Sequence, residues 1–196
     1  LGFHKASRRL RIGVISDTHI PAKARAIPAR VLRAFEGTDR ILHAGDLVDE
    51  RVIEELGRLA PTDAVAGNND PPGLVGWLGL KKLIDLGPVR IGLVHGHRGR
   101  GRNTPDRAAN AFGARGPVPG PPPLPPEGRP AAVVFGHSHL PLIAQPGTRL
   151  YPAAAPLPFL LFNPGSPTDR RHAPRCSFGT LVIEEDGSVR GEIVYL

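Results

Sequence analysis

Short β-forming apolar runs that each end in an acidic residue, an asparagine or a histidine recur along this 196-residue chain. That recurrence restricts the fold more than any other feature. Arg11 to Ser16 runs into Asp17-Thr18-His19, Arg40 to Ala44 into Gly45-Asp46, and Asp63 to Ala66 into Gly67-Asn68-Asn69-Asp70. Val89 to Val94 closes on His95-Gly96-His97, and Val133-Val134-Phe135 closes on Gly136-His137-Ser138-His139. Runs this short and β-branched read as buried strands. In open α/β sheets, ligands bind at the carboxyl edge of the strands. Polar donors at five such ends therefore point to one site along one edge.

Between the strands, Pro28 to Phe35 has a helical apolar spacing at Val31, Leu32 and Phe35, with Gly37 as a stop. Asp49 is expected to cap a helix through Leu59, whose stripe is Val52, Ile53, Leu56 and Leu59. Pro71-Pro72 ends the third strand unit. Lys81 to Leu86 and Val89 to Val94 form a hairpin through Gly87-Pro88, and a helix runs from Pro105 to about Phe112. Leu142 to Ala144, Arg149 to Tyr151 and Phe159 to Phe162 read as further strands, the last meeting a turn at Asn163-Pro164-Gly165-Ser166. Phe178 to Glu184 and Val189 to Tyr195 make a closing hairpin around Asp186-Gly187. An early α/β half and a later antiparallel half predict two sheets packed face to face with helices outside. The length suits a single domain over 1–196. A proline-dense insertion at about 116–130 can be neither helix nor inner strand. It is a surface loop or a partner-docking arm.

A net charge of +7, carried mostly by arginine, favours anionic partners, or else records arginines dispersed for solubility. One Trp, two Tyr and seven Phe leave few rings for stacking on bases, so nucleic acid is not the favoured partner. The lone Cys176 cannot form an internal disulfide and fits a reducing cytoplasm, with no Cys motif around it. The apolar run Ile12 to Ile15 stops at Ser16-Asp17, too short for a signal-peptide core, and no stretch approaches a membrane span.

The strand-end donors in order are Asp17, His19, Asp46, Asn68, His95, His137 and His139. In extended chain His137 and His139 project to one side, roughly 6.6 Å apart at about 3.3 Å per residue. That spacing crowds a single ion but suits two ions about 3.5–4 Å apart; alone, it could also be a chance pair bonded to water. Oxygen and imidazole donors without thiolate suit Mn²⁺, Fe, Ni²⁺, Co²⁺ or Zn²⁺.

The order Asp-x-His, Gly-Asp, Gly-Asn-x-Asp, His-x-His and Gly-His-x-His resembles the calcineurin-like metallophosphoesterases, from about Arg11 to Ser166. Asn163-Pro164-Gly165-Ser166 is similar to the small bacterial and archaeal phosphodiesterase branch, itself similar in fold to a eukaryotic retromer scaffold subunit. The resemblance implies an α/β, four-layer αββα sandwich of two mixed β-sheets flanked by helices. It also implies two divalent transition-metal ions, Mn²⁺ favoured: one held by Asp17, His19, Asp46 and His139, the other by Asp46, Asn68, His95 and His137. A metal-bridging hydroxide would then hydrolyse a small-molecule or nucleotide phosphodiester. The alternatives are a non-catalytic or weakly active scaffold on the same fold, and a nuclease or nucleotide phosphatase.

Asn69 stands where larger relatives carry a histidine proposed as the leaving-group acid and the small branch often carries cysteine. An amide donates a hydrogen bond but delivers no proton at ordinary pH, so His97 or a water would have to substitute. The alternative role for His97 is structural, and Asp70, grouped with Asn69 and His97 as a catalytic candidate, is expected to brace the Asn68 loop or pair with an arginine. His43 lies within its strand and suits a hydrogen-bonded structural role. Arg98, Arg100 and Arg102 would grip substrate phosphates bidentately if their loop borders the site; otherwise they form a flexible basic loop.

Overall fold

A computed structural model describes residues 9–113, 128–152 and 154–196. In the first sheet β1 (Leu10–Ile15), β2 (Arg40–His43) and β3 (Thr62–Ala64) run parallel, and β9 (Ser177–Ile183) and β10 (Val189–Tyr195) add antiparallel beyond β1, in the order β10-β9-β1-β2-β3. The second has the order β4-β5-β6-β8-β7. Its centre, β5 (Val89–Val94), β6 (Ala132–Val134) and β8 (Leu160–Asn163), is parallel, and β4 (Lys81–Leu86) and β7 (Leu142–Ala144) are antiparallel edges. Both sheets are therefore mixed.

Alternation along each strand sorts the apolar side chains into three layers of core. Ile12, Val14, Leu42, Ile91, Leu93, Val134 and Phe162 pack between the sheets. Ile15, Phe35, Ile41, Val52, Leu56, Leu74 and Phe178 form a second core on the first sheet's outer face, with α1 (Ala29–Phe35), α2 (Arg51–Gly57) and α3 (Pro72–Leu78). Val133, Phe135 and Leu161 meet Phe112 and Ala108 of the α4 (Thr104–Ala111) segment in the third. The architecture is the expected four-layer sandwich. Phe162 is wholly buried, worth about 1.5–3 kcal/mol for a side chain of this kind. Its ring fits because Gly191 faces it: a Cβ there would lie 2.6 Å from Phe162 Cδ2.

Register aligns the strand ends. Ile15 pairs with His43 and His43 with Ala64, while Leu93 pairs with Val134 and Val134 with Phe162. The residues following all six strands consequently emerge at level carboxyl edges.

Several local expectations need correction. Pro71-Pro72 does not simply end a unit; it opens α3, with Pro71 as N-cap and Pro72 inside the first turn, where a missing N–H costs no helical bond. Arg149 to Tyr151 is no strand; this segment instead folds on itself, with Leu157 N–H donating to Thr148 O and Ala154 N–H to Tyr151 O. The cap of α2 is Glu50, without a side-chain bond, and Asp49 Oδ1 accepts from Arg51 N–H. Asn103 caps α4 by accepting from Asp106 N–H. Of the proline-dense stretch, residues 116–127 lie outside the described residues. No described helix is long and apolar enough to cross a membrane.

Candidate metal centre

The loops after β1, β2, β5 and β6 bring Asp17, His19, Asp46, His95 and His139 into one buried cluster. Asp17 Oδ1 lies 3.3 Å from His139 Nε2 and 3.9 Å from both His19 Nε2 and His95 Nε2. Asp46 Oδ2 lies 3.3 Å from His95 Nε2 and 3.6 Å from His19 Nε2. Asp46 thus reaches histidines that the family resemblance would assign to different ions. Two sets could each hold a metal ion, Asp17-His19-His139 and Asp17-Asp46-His95, and these share Asp17. Both carboxylates consequently stand between the two histidine groups.

The donor chemistry fits a cation. His139 Nδ1 bonds the carbonyl of Asp169 and His95 Nδ1 that of Ala44. A carbonyl only accepts, so each ring carries a proton on Nδ1 and, when neutral, turns the Nε2 lone pair into the cluster. His95 Nε2 then faces Asn68 Oδ1 at 3.2 Å as well as Asp46, and His139 Nε2 faces His19 Nε2 at 3.2 Å. Acceptors so close require a proton or a metal ion between them.

Electrostatics says the same. Burial would raise the Asp46 carboxyl, but the hydrogen bond and charge of His95 and the two donors of Asn69 outweigh it and hold Asp46 below the usual range. Burial likewise opposes ionisation of Asp17, and the His139 bond together with His95 prevails. His95 is the counterpart: burial disfavours its charge, yet Asp17 and Asp46 raise its pKa. A proton on His95 thus supplies positive charge that a divalent ion would supply more fully.

Six of these loop residues are held in left-handed backbone without being glycine: Asp17, His19, Asp46, Val48, His137 and His139, with φ from 45° to 78°. Each costs of order 1 kcal/mol or more. The surroundings impose it. Asp70 accepts from Asp46 N–H (2.9 Å), Gly67 N–H (2.7 Å) and Val48 N–H (2.6 Å). With three donors on two oxygens, Asp70 is a backbone clamp that fixes the Asp46 and Asn68 loops. Asn69 donates from its backbone to Asp46 Oδ1 at 2.8 Å and from its side chain to Oδ2 at 2.6 Å, orienting that carboxylate. His43 is buried and its pKa falls to about 3, chiefly from desolvation; the neutral ring accepts from Gly45 N–H and meets Thr18 Oγ1.

His137 and His97 complete a group of imidazoles around His95, with ring centroids 5.2 Å and 5.3 Å from it. The Nδ1 atoms of both are buried without a hydrogen-bond partner. Burial and the nearby His95 charge press His97 down to about 4. His137 is anchored through its backbone, N–H to the Asp17 carboxylate. The arginine loop divides: the charge of Arg98 reaches His97, whereas the Arg102 guanidinium lies 4.6 Å over the Tyr151 ring. Arg100 contributes its backbone carbonyl, which accepts from Asn110.

Sequence reasoning missed the loop after β8. Ser166 Oγ donates to Asp17 O at 2.7 Å and Thr168 Oγ1 to Thr18 O at 2.7 Å. Asn163 Nδ2 donates to Gly136 O and Ser138 Oγ, fixing the turn that carries both histidines. Arg107, also missed, donates to Gly96 O at 2.9 Å. The one available signal was the Asn163-Pro164-Gly165-Ser166 turn.

The sequence profile of the calcineurin-like phosphoesterase superfamily domain matches residues 10–186, spanning every strand and loop that builds the cluster. The chain belongs to the calcineurin-like phosphoesterase superfamily. A probable metallophosphoesterase of Methanothermobacter thermautotrophicus is 44% identical over 89 residues, 43% of this chain and 49% of that protein. This match spans about half the length of the relative. A probable metallophosphoesterase of Methanocaldococcus jannaschii is 31% identical over 173 residues, 87% of this chain and 73% of the other. Among solved structures, Vps29 of Entamoeba histolytica complexed with Zn²⁺ superposes with a TM-score of 0.64 at 24% identity, covering 95% of this chain and 99% of that one. At that identity the likeness shows the shared calcineurin-like fold.

Proposed function

We propose that this single-domain phosphoesterase is a metal-dependent phosphodiesterase acting on small-molecule or nucleotide diesters. The observation that carries it is the convergence of Asp17, Asp46, His19, His95 and His139 with lone pairs facing one another. Asp17, His19, Asp46 and His139 would hold one divalent ion and Asp46, Asn68, His95 and His137 the other, with Mn²⁺ favoured. Bound there, such ions supply Lewis acidity to the phosphoryl oxygens and acidify water to make the nucleophile. The chain's own residues do the rest. Asn69 and Asp70 hold Asp46 in place, and Ser16 Oγ, donating to Asp17 Oδ2 at 2.7 Å, holds Asp17. Arg98, with Arg100 and Arg102 on the same loop, would attract the anionic substrate.

Protein stripped with chelator and reloaded with Mn²⁺ is expected to hydrolyse bis(p-nitrophenyl) phosphate, with turnover lost again on chelation. Folded protein that takes up no Mn²⁺, Ni²⁺, Co²⁺ or Zn²⁺ and turns over none of the diester supports the second reading, a scaffold. The fold shared with Vps29 is compatible with that alternative.

Asn69 offers no transferable proton, and His97 is pushed down to about 4, mostly neutral at pH 7 and poor as a proton donor. Leaving groups that need protonation should therefore suffer. Aryl diesters are expected to exceed matched alkyl diesters by about 10² beyond their intrinsic reactivity difference, the low end of what a positioned general acid contributes. Equal enzymatic acceleration of the two classes would show that another group supplies the proton.

A further inference from the structure

We propose that Arg171, with Lys23 beside it, forms a phosphate subsite on the His19 and His139 flank of the metal centre, taking a second, non-scissile phosphate of the substrate. This rests on the phosphodiesterase reading and narrows its substrate class to diesters carrying an additional phosphate.

The loop bearing Arg171 is tied to the centre at three points: Ser166 to Asp17 O, Thr168 to Thr18 O, and the Asp169 carbonyl to His139 Nδ1. Arg171 itself donates from Nη1 to His137 O at 3.3 Å, and its Nε lies 3.8 Å from Asp169 Oδ2. Lys23 Nζ lies 3.8 Å from that same oxygen, and its backbone N–H donates to His19 O at 2.8 Å. Two cations share one carboxylate, so net positive charge remains at the rim. Both side chains are solvent-exposed. Arg171 Nη2 has no hydrogen-bond partner among the described residues, which leaves part of the guanidinium fork for a phosphate.

Backbone strain supports the assignment. Arg171 has φ of 43°, and every other described non-glycine residue with positive φ lies in the metal-centre loops after β1, β2 and β6. Such strain persists where the surroundings over-determine it and clusters at working sites. Of the other arginines, Arg102 lies over the Tyr151 ring and Arg107 donates to Gly96 O and Thr104 Oγ1.

The test compares the dinucleotide ApA with its 5′-phosphorylated form pApA on the Mn²⁺-loaded enzyme. Wild type should prefer pApA in kcat/KM. Arg171→Asn, which tolerates left-handed backbone, should cut the pApA-to-ApA ratio about tenfold, as loss of a charge-assisted bond does; Lys23→Ala should cut it less. No wild-type preference, or an equal fall on both substrates in Arg171→Asn, overturns the subsite while the phosphodiesterase reading stands. If neither dinucleotide is cleaved, hydrolysis of bis(p-nitrophenyl) phosphate decides the phosphodiesterase reading, and calorimetry with the phosphorothioate analogues decides the subsite. Tighter binding of the phosphorylated analogue that disappears in Arg171→Asn upholds it, and equal binding of both overturns it.

Discussion

Replacing Asp46 by asparagine is expected to lower kcat/KM for bis(p-nitrophenyl) phosphate on the order of a thousandfold, about 4 kcal/mol of transition-state stabilisation. The exchange is nearly isosteric, so no cavity accounts for the loss. It removes the charge that lies within 4 Å of both His19 and His95. It also sets an amide NH₂ against one of the two Asn69 donors, so the side chain can satisfy only one of them. Metal content measured by mass spectrometry should fall below that of wild type. A variant that keeps full metal and full turnover would remove Asp46 from the centre.

The second large effect comes from a residue with no functional group. Gly67→Ala should destabilise the protein by about 2–4 kcal/mol and empty the centre. A Cβ at Gly67 would sit 2.6 Å from Asp46 N and 2.7 Å from Asp46 Cγ, atoms that Asp70 and Asn69 hold rigidly. Neither loop can yield without breaking the Asp70 clamp, since Gly67 N–H is itself one of its three donors. Denaturant unfolding and metal content read the two consequences separately. A variant as stable as wild type and fully loaded with metal would mean that the loops are far softer than their hydrogen bonding implies.

Most of the strands were legible because each is a short run of Val, Ile and Leu that stops at a polar residue, as at Val14-Ile15 before Asp17. The cluster was legible for the same reason: once strand ends are level, the residue after each strand is placed by topology alone. What the sequence concealed depends on contacts between distant loops. Ser166 reaches Asp17 across 149 positions, and Asp169 offers His139 a backbone carbonyl, which leaves no trace in residue type. Pro71-Pro72 misled because the same dipeptide can stop a strand or open a helix. A helix start expected at Pro105 leaves Asn103 without a role, whereas its side chain caps α4.

Asp17, His19, Asp46 and Asn68 come from the first sheet, and His95, His97, His137 and His139 from the second. An ion shared across that seam would act as a clasp on the sandwich itself. Whatever binds there stabilises the folded state by mass action, about 2.7 kcal/mol at a hundred times its dissociation constant. Reciprocally, a change in the intersheet packing around Phe162 would alter the spacing between the donors of the two sheets and with it the affinity for metal.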